Sequence, residues 1–173
     1  VSACATALGF SLEDIREGLQ SVKPVPGRVE PKLGLQGSLV LDDSYNANPG
    51  SVRAAASLLV DLQPEQDTWL VLGDLGELGA GQQQELEKLG RDIAALGVKN
   101  LLTVGVNSAF VEHGFSQRGE GVFSRHVSEQ GTAIKYIKKQ LKENVAVLVK
   151  GSRSARMDLV VNAIAETAIG SNG

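Results

Sequence analysis

The chain has 173 residues and a mass of 18.2 kDa, the size of about one domain with a short appendage. Its hydrophobic content of 42% and charged content of 21% exclude a disordered tail, a collagen-like repeat and a coiled coil, and a net charge of −3 gives no overall positive field to hold nucleic acid or an anionic membrane. Cys4 alone makes no internal disulfide, no Cys/His cluster has zinc-site spacing, no apolar run approaches the ~18 residues of a membrane span, and residues 1–20 lack a signal-peptide pattern. A reducing, cytoplasmic setting is expected.

Residues 1–22 read as two short helices. Ser2 to Leu8 is small and apolar and stops at Gly9, and Ser11 begins the second with Glu13 and Asp14 in its first turn. A chain opening inside a helix, with no cap before Val1, reads as a piece of something longer. Pro24-Val25-Pro26-Gly27 then breaks any helix, and a domain boundary is expected between residues 23 and 24.

Beyond the boundary, apolar runs alternate with amphipathic patterns. The spacing predicts a strand over Ser38–Asp42, with Val29–Leu35 as a hairpin arm before it, and a helix over Ser51–Leu62. Trp69–Gly73 reads as a strand, and Gln82–Leu96 as a helix with Leu86, Leu89, Ile93 and Leu96 on one face. A strand over Leu101–Gly105, a short helix over Ser108–Phe115, a brief strand over Gly121–Phe123 and a helix over Glu129–Leu141 follow. Val145–Val149 is a strand and Ala155–Ile169 the last helix. Val/Leu runs without alternation are those of strands buried on both faces. The order predicts an α/β, Rossmann-like fold: a mainly parallel sheet with helices on both faces, and an antiparallel edge strand if the hairpin arm pairs.

In such a sheet ligands bind beyond the carboxyl ends of the strands. Three polar clusters fall there: Asp42-Asp43-Ser44-Tyr45-Asn46-Ala47-Asn48-Pro49, Gly73-Asp74-Leu75-Gly76-Glu77-Leu78-Gly79, and Lys150-Gly151-Ser152-Arg153. Each has two readings. Asn48 and Ser51 suit a helix cap as well as a ligand. Gly73, Gly76 and Gly79 are either turn punctuation or part of a site, and their spacing is not GxGxxG. Lys150-Gly151-Ser152 looks like the end of a P-loop but lacks the earlier glycine. Arg153 and Arg156 either face solvent or hold an anion, and Arg28 is either a surface residue or a charge aimed into a cleft. His113 and His126 stand alone, and no catalytic nucleophile signature or metal-ligand set is present.

Pro26-Gly27-Arg28-Val29-Glu30, Asp43-Ser44-Tyr45-Asn46-Ala47-Asn48-Pro49, Leu72-Gly73-Asp74-Leu75-Gly76-Glu77-Leu78-Gly79 and Val149-Lys150-Gly151-Ser152-Arg153 follow one another in the order found in the Mur ligases of peptidoglycan synthesis, which the chain resembles over nearly its whole length. The nearest resemblance is to the branch that adds D-Ala-D-Ala to UDP-MurNAc-tripeptide. Residues 1–23 resemble the helical tail of that family's central ATPase domain, and residues 24–173 its C-terminal domain; the P-loop and the UDP-substrate domain would lie upstream. The resemblance implies ATP-driven amide synthesis through an acyl phosphate, with Mg²⁺ bound mainly by the central domain. It places Arg28, Asp43, Tyr45 and Asn46 at ATP, and Ser152 and Arg153, with Asp74 and Glu77, at the incoming D-Ala-D-Ala. It implies no catalytic residue and no metal ligand in this chain, UDP-MurNAc-tripeptide, D-Ala-D-Ala and the upstream domains as partners, and neither nucleic acid nor membrane. The chain departs from the family in carrying Leu86 where a histidine is frequent, and GDLGELG where GDMxELG is more usual. The alternatives are a stand-alone nucleotide-binding module and a domain of a related ligase such as folylpolyglutamate synthase.

Overall fold

A computed structural model of the chain describes residues 2–21, 25–62, 66–76, 78–79 and 81–166. The amino-terminal part forms α1 (Ser2–Ala7) and α2 (Leu12–Gln20). Ser11 starts α2 as expected: its hydroxyl accepts from the Asp14 amide at 3.1 Å, and the Asp14 carboxylate accepts from the Ser11 amide at 3.0 Å. This reciprocal box satisfies donors that a first helical turn leaves open, and the Ser11 side chain holds the Asp14 carboxyl below its usual range. The expected boundary between residues 23 and 24 lies outside the described residues.

The rest builds one six-stranded sheet: β1 (Glu30–Leu33), β2 (Leu39–Asp43), β3 (Asp67–Gly73), β4 (Asn100–Val104), β5 (Phe123–Val127) and β6 (Val145–Lys150), in the spatial order β1-β2-β6-β3-β4-β5. All neighbours are parallel except β1, which returns antiparallel along β2. The hairpin arm thus pairs, reversing through a 3₁₀ turn at Leu35–Gly37 in which Gln36 and Gly37 take φ of 60° and 75°. Pro31, which has no N–H to give, sits where a sheet tolerates it, on the edge.

The helices are α3 (Pro49–Leu62), α4 (Gln82–Leu96), α5 (Ser108–Ser116), α6 (Gln130–Ile137) and α7 (Asp158–Ile164). Leu41, Leu70, Leu72 and Leu148 share a core with α3, α4 and α5, while Val40, Val71, Val147 and Val149 share another with α6 and α7. Every residue of β6 is buried, which is why its apolar run does not alternate. The chain leaves β2 for α3 on one face and leaves β6 for α7 on the other. Neighbouring parallel strands whose connections part in this way open a crevice at their carboxyl ends.

Beyond shifts of one or two residues at strand and helix ends, three elements differ from the sequence expectation. β5 covers Phe123–Val127 rather than Gly121–Phe123, because this edge strand carries polar residues and alternates exposed with half-buried positions. α6 ends at Ile137 rather than Leu141: the Lys139 and Gln140 amides reach back three residues, at 3.1 and 2.9 Å, and tighten the last turn. The expected helix over Ala155–Ile169 covers only Asp158–Ile164, Ala165 being extended. A 3₁₀ turn at Arg153–Ala155 precedes it, Arg156 breaks the path with φ 50° and ψ 41°, and residues 167–169 lie outside the described residues.

Candidate functional site

The crevice is furnished from the last rungs of β2 and β6. Side chains alternate along a strand, so the adjacent Asp42 and Asp43 point to opposite faces of the sheet. Asp42 accepts the Ser44 amide and hydroxyl at 3.1 and 2.6 Å and turns the chain out of β2. Asp43 lies on the α3 side, opposite Lys150 in the β2–β6 register, and the Lys150 ammonium donates to Asp43 Oδ2 at 2.7 Å and to the Asn46 carbonyl at 2.9 Å. Lys150 is only 2% exposed, so it is a paired, buried cation rather than the free lysine of a phosphate loop.

The loop after β2 is held to the Pro26-Gly27-Arg28 connector. The Tyr45 amide donates to the Gly27 carbonyl at 3.1 Å, and a Cβ on Gly27, itself at φ 70°, would lie 3.2 Å from the Tyr45 amide nitrogen. Asn46 folds its side-chain carbonyl onto the Ala47 amide at 2.8 Å. Asn48 and Ser51 exchange side-chain bonds with each other's amides at 2.9 and 3.1 Å, capping α3, yet both also line the cavity described next. Cap and lining are therefore the same residues.

Arg28, Asp43, Tyr45 and Asn46, the four residues expected at ATP, meet around one cavity of about 360 Å³ whose other wall is Ala54, Ala55 and Leu58 of α3. A largely apolar wall facing a few polar groups is the usual make-up of a small-molecule site. The guanidinium carbons of Arg28 and Arg153 lie 4.9 and 5.5 Å from the centre of the Tyr45 ring. Neither guanidinium has a carboxylate partner among the described residues. Two unpaired cations over one ring, which is 46% exposed, favour an anionic ligand. Beside Arg28, Val29 takes φ 52°, a left-handed conformation that a β-branched residue adopts only under constraint.

A second opening, of about 680 Å³, adjoins the first and shares Asn46 and Asn48 with it; Gly76, Ser152 and Arg153 complete its polar side. Asp74 lines neither. Its two carboxylate oxygens accept the Ser108 and Val106 amides at 2.7 and 2.9 Å, which fixes the start of α5, and its carbonyl accepts the Ser152 amide at 2.9 Å. Glu77 lies outside the described residues. Arg156 is paired with Asp158 at 3.2 Å, and His126 shares a 2.9 Å hydrogen bond with Thr103. Gly73 and Gly151 make room for Met157, whose Cγ would sit 2.6 and 2.5 Å from a Cβ at either position. Leu86 is fully buried in the core of the sheet's α4 side. Sequence reading placed Lys150 in two motifs but gave it no role at the site, although a charged residue closing a wholly apolar strand was the available signal.

Residues 27–153 match the profile of the Mur ligase, glutamate ligase domain. The UDP-N-acetylmuramoyl-tripeptide–D-alanyl-D-alanine ligase of Escherichia coli (strain K12) is 37% identical over 167 residues, covering 95% of this chain and 35% of the relative. A crystal structure of MurF from Acinetobacter baumannii aligns with a TM-score of 0.73 at 34% identity, over 93% of this chain and 34% of that one. MurF from Thermotoga maritima, crystallised in complex with ADP, shares the fold with a TM-score of 0.73 at 21% identity, over 93% of this chain and 35% of that one. The chain spans about a third of the length of the relatives it matches.

Proposed function

The chain belongs to the Mur ligase family through its glutamate ligase domain, and from that premise we propose that it is the C-terminal domain of an ATP-dependent ligase that adds D-Ala-D-Ala to UDP-MurNAc-tripeptide in peptidoglycan synthesis. The observation that carries this reading is the convergence of Arg28, Asp43, Tyr45 and Asn46 on one cavity at the carboxyl ends of β2 and β6. Residues 24–173 form that domain and residues 1–23 the helical tail of a central ATPase domain, a division supported by the apolar residues that α1, α2 and their connection leave exposed.

In the proposed reaction the terminal carboxylate of the tripeptide takes the γ-phosphoryl group of ATP, releasing ADP. The amine of D-Ala-D-Ala then attacks the acyl phosphate, the amide forms and phosphate leaves. Arg28 places a positive charge where phosphate charge accumulates, Asp43 accepts hydrogen bonds from polar groups of the nucleotide, and Tyr45 and Asn46 line the same site. Ser152 and Arg153 hold D-Ala-D-Ala, the guanidinium fork suiting its carboxylate. Asp74 contributes by fixing the Ser152 backbone rather than through its occupied carboxylate. An acyl phosphate must be kept from water, which assigns this domain the part of a lid closing over the ATPase domain.

Mg²⁺ is expected to neutralise phosphate charge in such a reaction. Among the described residues Asp43 is the one carboxylate lining the cavity, and Lys150 already neutralises it, so the described residues make no metal site of their own. The ion is assigned to the upstream part of the protein. Among the described residues no helix is long and apolar enough to cross a membrane; the cytoplasmic site of action is part of the proposal and rests on the family reading.

The test is phosphate release by the protein extended upstream, supplied with ATP, Mg²⁺ and UDP-MurNAc-tripeptide, with and without D-Ala-D-Ala. Release that requires D-Ala-D-Ala, and that the 173-residue chain alone does not give, is expected. ATP binding without D-Ala-D-Ala-dependent release would replace the ligase by a nucleotide-binding module.

A further inference from the structure

We propose that Lys150 is a positioning residue of the nucleotide site, acting through Asp43 and the loop that carries Tyr45 and Asn46. The inference rests on the nucleotide reading above and adds a residue to it. Lys150 stands on β6, whose backbone is paired on both sides, to β2 and to β3, so the origin of its side chain is fixed by the sheet. Asp43 is its register partner on the last rung of β2. The ammonium spends one bond on Asp43 Oδ2, at 2.7 Å, and a second on the Asn46 carbonyl, at 2.9 Å.

These bonds have two consequences. The bond to Oδ2 sets the rotation of the Asp43 carboxylate and leaves Oδ1 without a hydrogen bond among the described residues, as the acceptor that Asp43 offers in the cavity it lines. The bond to Asn46 ties the loop after β2 to the central strand, three residues beyond Asp43 in sequence and one residue beyond Tyr45. A buried ammonium held twice by the protein, on a side chain 3% exposed, has little surface left to meet a phosphate. Its charge instead balances that of the Asp43 carboxylate and holds it in place inside a site that has to attract an anion, where an unpaired carboxylate would repel it.

The experiment compares Lys150→Met in two backgrounds of the extended protein, native Asp43 and Asp43→Asn, reading kcat and the KM for ATP in the D-Ala-D-Ala-dependent reaction together with the melting temperature. With native Asp43, Lys150→Met is expected to raise the KM for ATP at least tenfold with a smaller change in kcat. In the Asp43→Asn background the same change is expected to alter KM by less than threefold, because the carboxylate it positions is already gone and only the bond to the Asn46 carbonyl is lost. An equal factor in both backgrounds, or an unchanged KM in a folded Lys150→Met variant, overturns the proposal. If Lys150→Met alone fails to fold, the Asp43→Asn single variant and the double variant decide, the double variant burying no unpaired charge: a factor below threefold between them, together with folding of the double variant, supports positioning through Asp43, and a larger factor overturns it. Loss of D-Ala-D-Ala-dependent activity in the unmutated protein is a separate outcome and falls on the ligase reading instead.

Discussion

The Tyr45 ring serves two guanidiniums, and its hydroxyl has no part in that. Arg28 and Arg153 are held over the ring at 4.9 and 5.5 Å, by contacts worth about 0.5–1 kcal/mol each where water has access. Tyr45→Phe keeps the ring and is expected to leave kcat/KM for ATP in the extended protein within threefold. Tyr45→Ala loses both contacts, about 1–2 kcal/mol, and should cost roughly 5- to 30-fold. On the proposed reading, Arg28→Ala removes a charge that faces the phosphoryl group and is expected to cost more, about 100-fold or beyond. A Tyr45→Phe loss as large as that of Tyr45→Ala would shift the role to the hydroxyl. Arg28, Asp43, Tyr45 and Asn46 were legible because they stand in short motifs. The Lys150–Asp43 bond was not, since it joins residues 107 apart and depends on a strand register that no local pattern reveals. For Asp74 the local pattern and the contacts diverge: its place in a glycine-rich motif suggests a ligand contact, while its carboxylate accepts backbone amides 32 and 34 residues on.

Helices α4 and α5 cross backbone to backbone through two glycines. A Cβ on Gly90 would sit 2.1 Å from the Val111 carbonyl oxygen, and one on Gly114 2.0 Å from that of Glu87. Helix propensity favours alanine over glycine by about 1 kcal/mol, but overpacking costs about 1–3 kcal/mol and reaches the upper end where the obstacle is backbone. The clash wins. Gly90→Ala and Gly114→Ala are each expected to lower the melting temperature, by roughly 2–4 °C per kcal/mol of net loss. Gly131 in α6, with nothing within 4 Å of a built Cβ, is the control, and Gly131→Ala should stabilise by about 0.5–1 kcal/mol. Asp92 joins α3 to α4, accepting from Lys88 at 2.8 Å and Arg53 at 2.9 Å, and the Lys88 bond, followed by Arg53, holds its carboxyl below the ordinary 3.8. A depressed carboxyl contributes stability above its unfolded value that is lost as the pH falls through the folded one. Asp92→Asn should therefore lower stability at pH 7 by about 0.5–1 kcal/mol, these partners being partly exposed, and the gap from the parent should close below pH 3.8 in pH-resolved thermal melts. Long amphipathic helices such as α4 were readable from their period. β5 and the broken start of α7 were not, because one hides its strand behind polar edge residues and the other depends on the left-handed Arg156.

Alternating strands and helices announce a parallel sheet but do not order it. Here β6, last in sequence, inserts between β2 and β3, and that single step carries Lys150, Ser152 and Arg153 to the loop holding Asp43, Tyr45 and Asn46. At the other end of the chain, α1 and α2 make their main contacts with each other, and the segment leaves Leu8, Phe10, Leu12 and Leu19 from 49 to 81% exposed. Apolar groups so placed contribute little to the sheet domain and stand ready for burial elsewhere, at about 25 cal/mol per Å² covered. Deleting residues 1–21 from the 173-residue chain is thus expected to leave its melting temperature within 2–3 °C, where loss of an integral helical pair would cost several times more. In the extended protein the sign of the argument changes. If these residues are the tail of a central ATPase domain, Leu12→Ser and Leu19→Ser expose polar groups to an apolar contact and should lower the first thermal transition, while leaving both variants neutral in the isolated chain. Equal sensitivity in the two forms would place α1 and α2 in the sheet domain instead and move the domain boundary upstream of them.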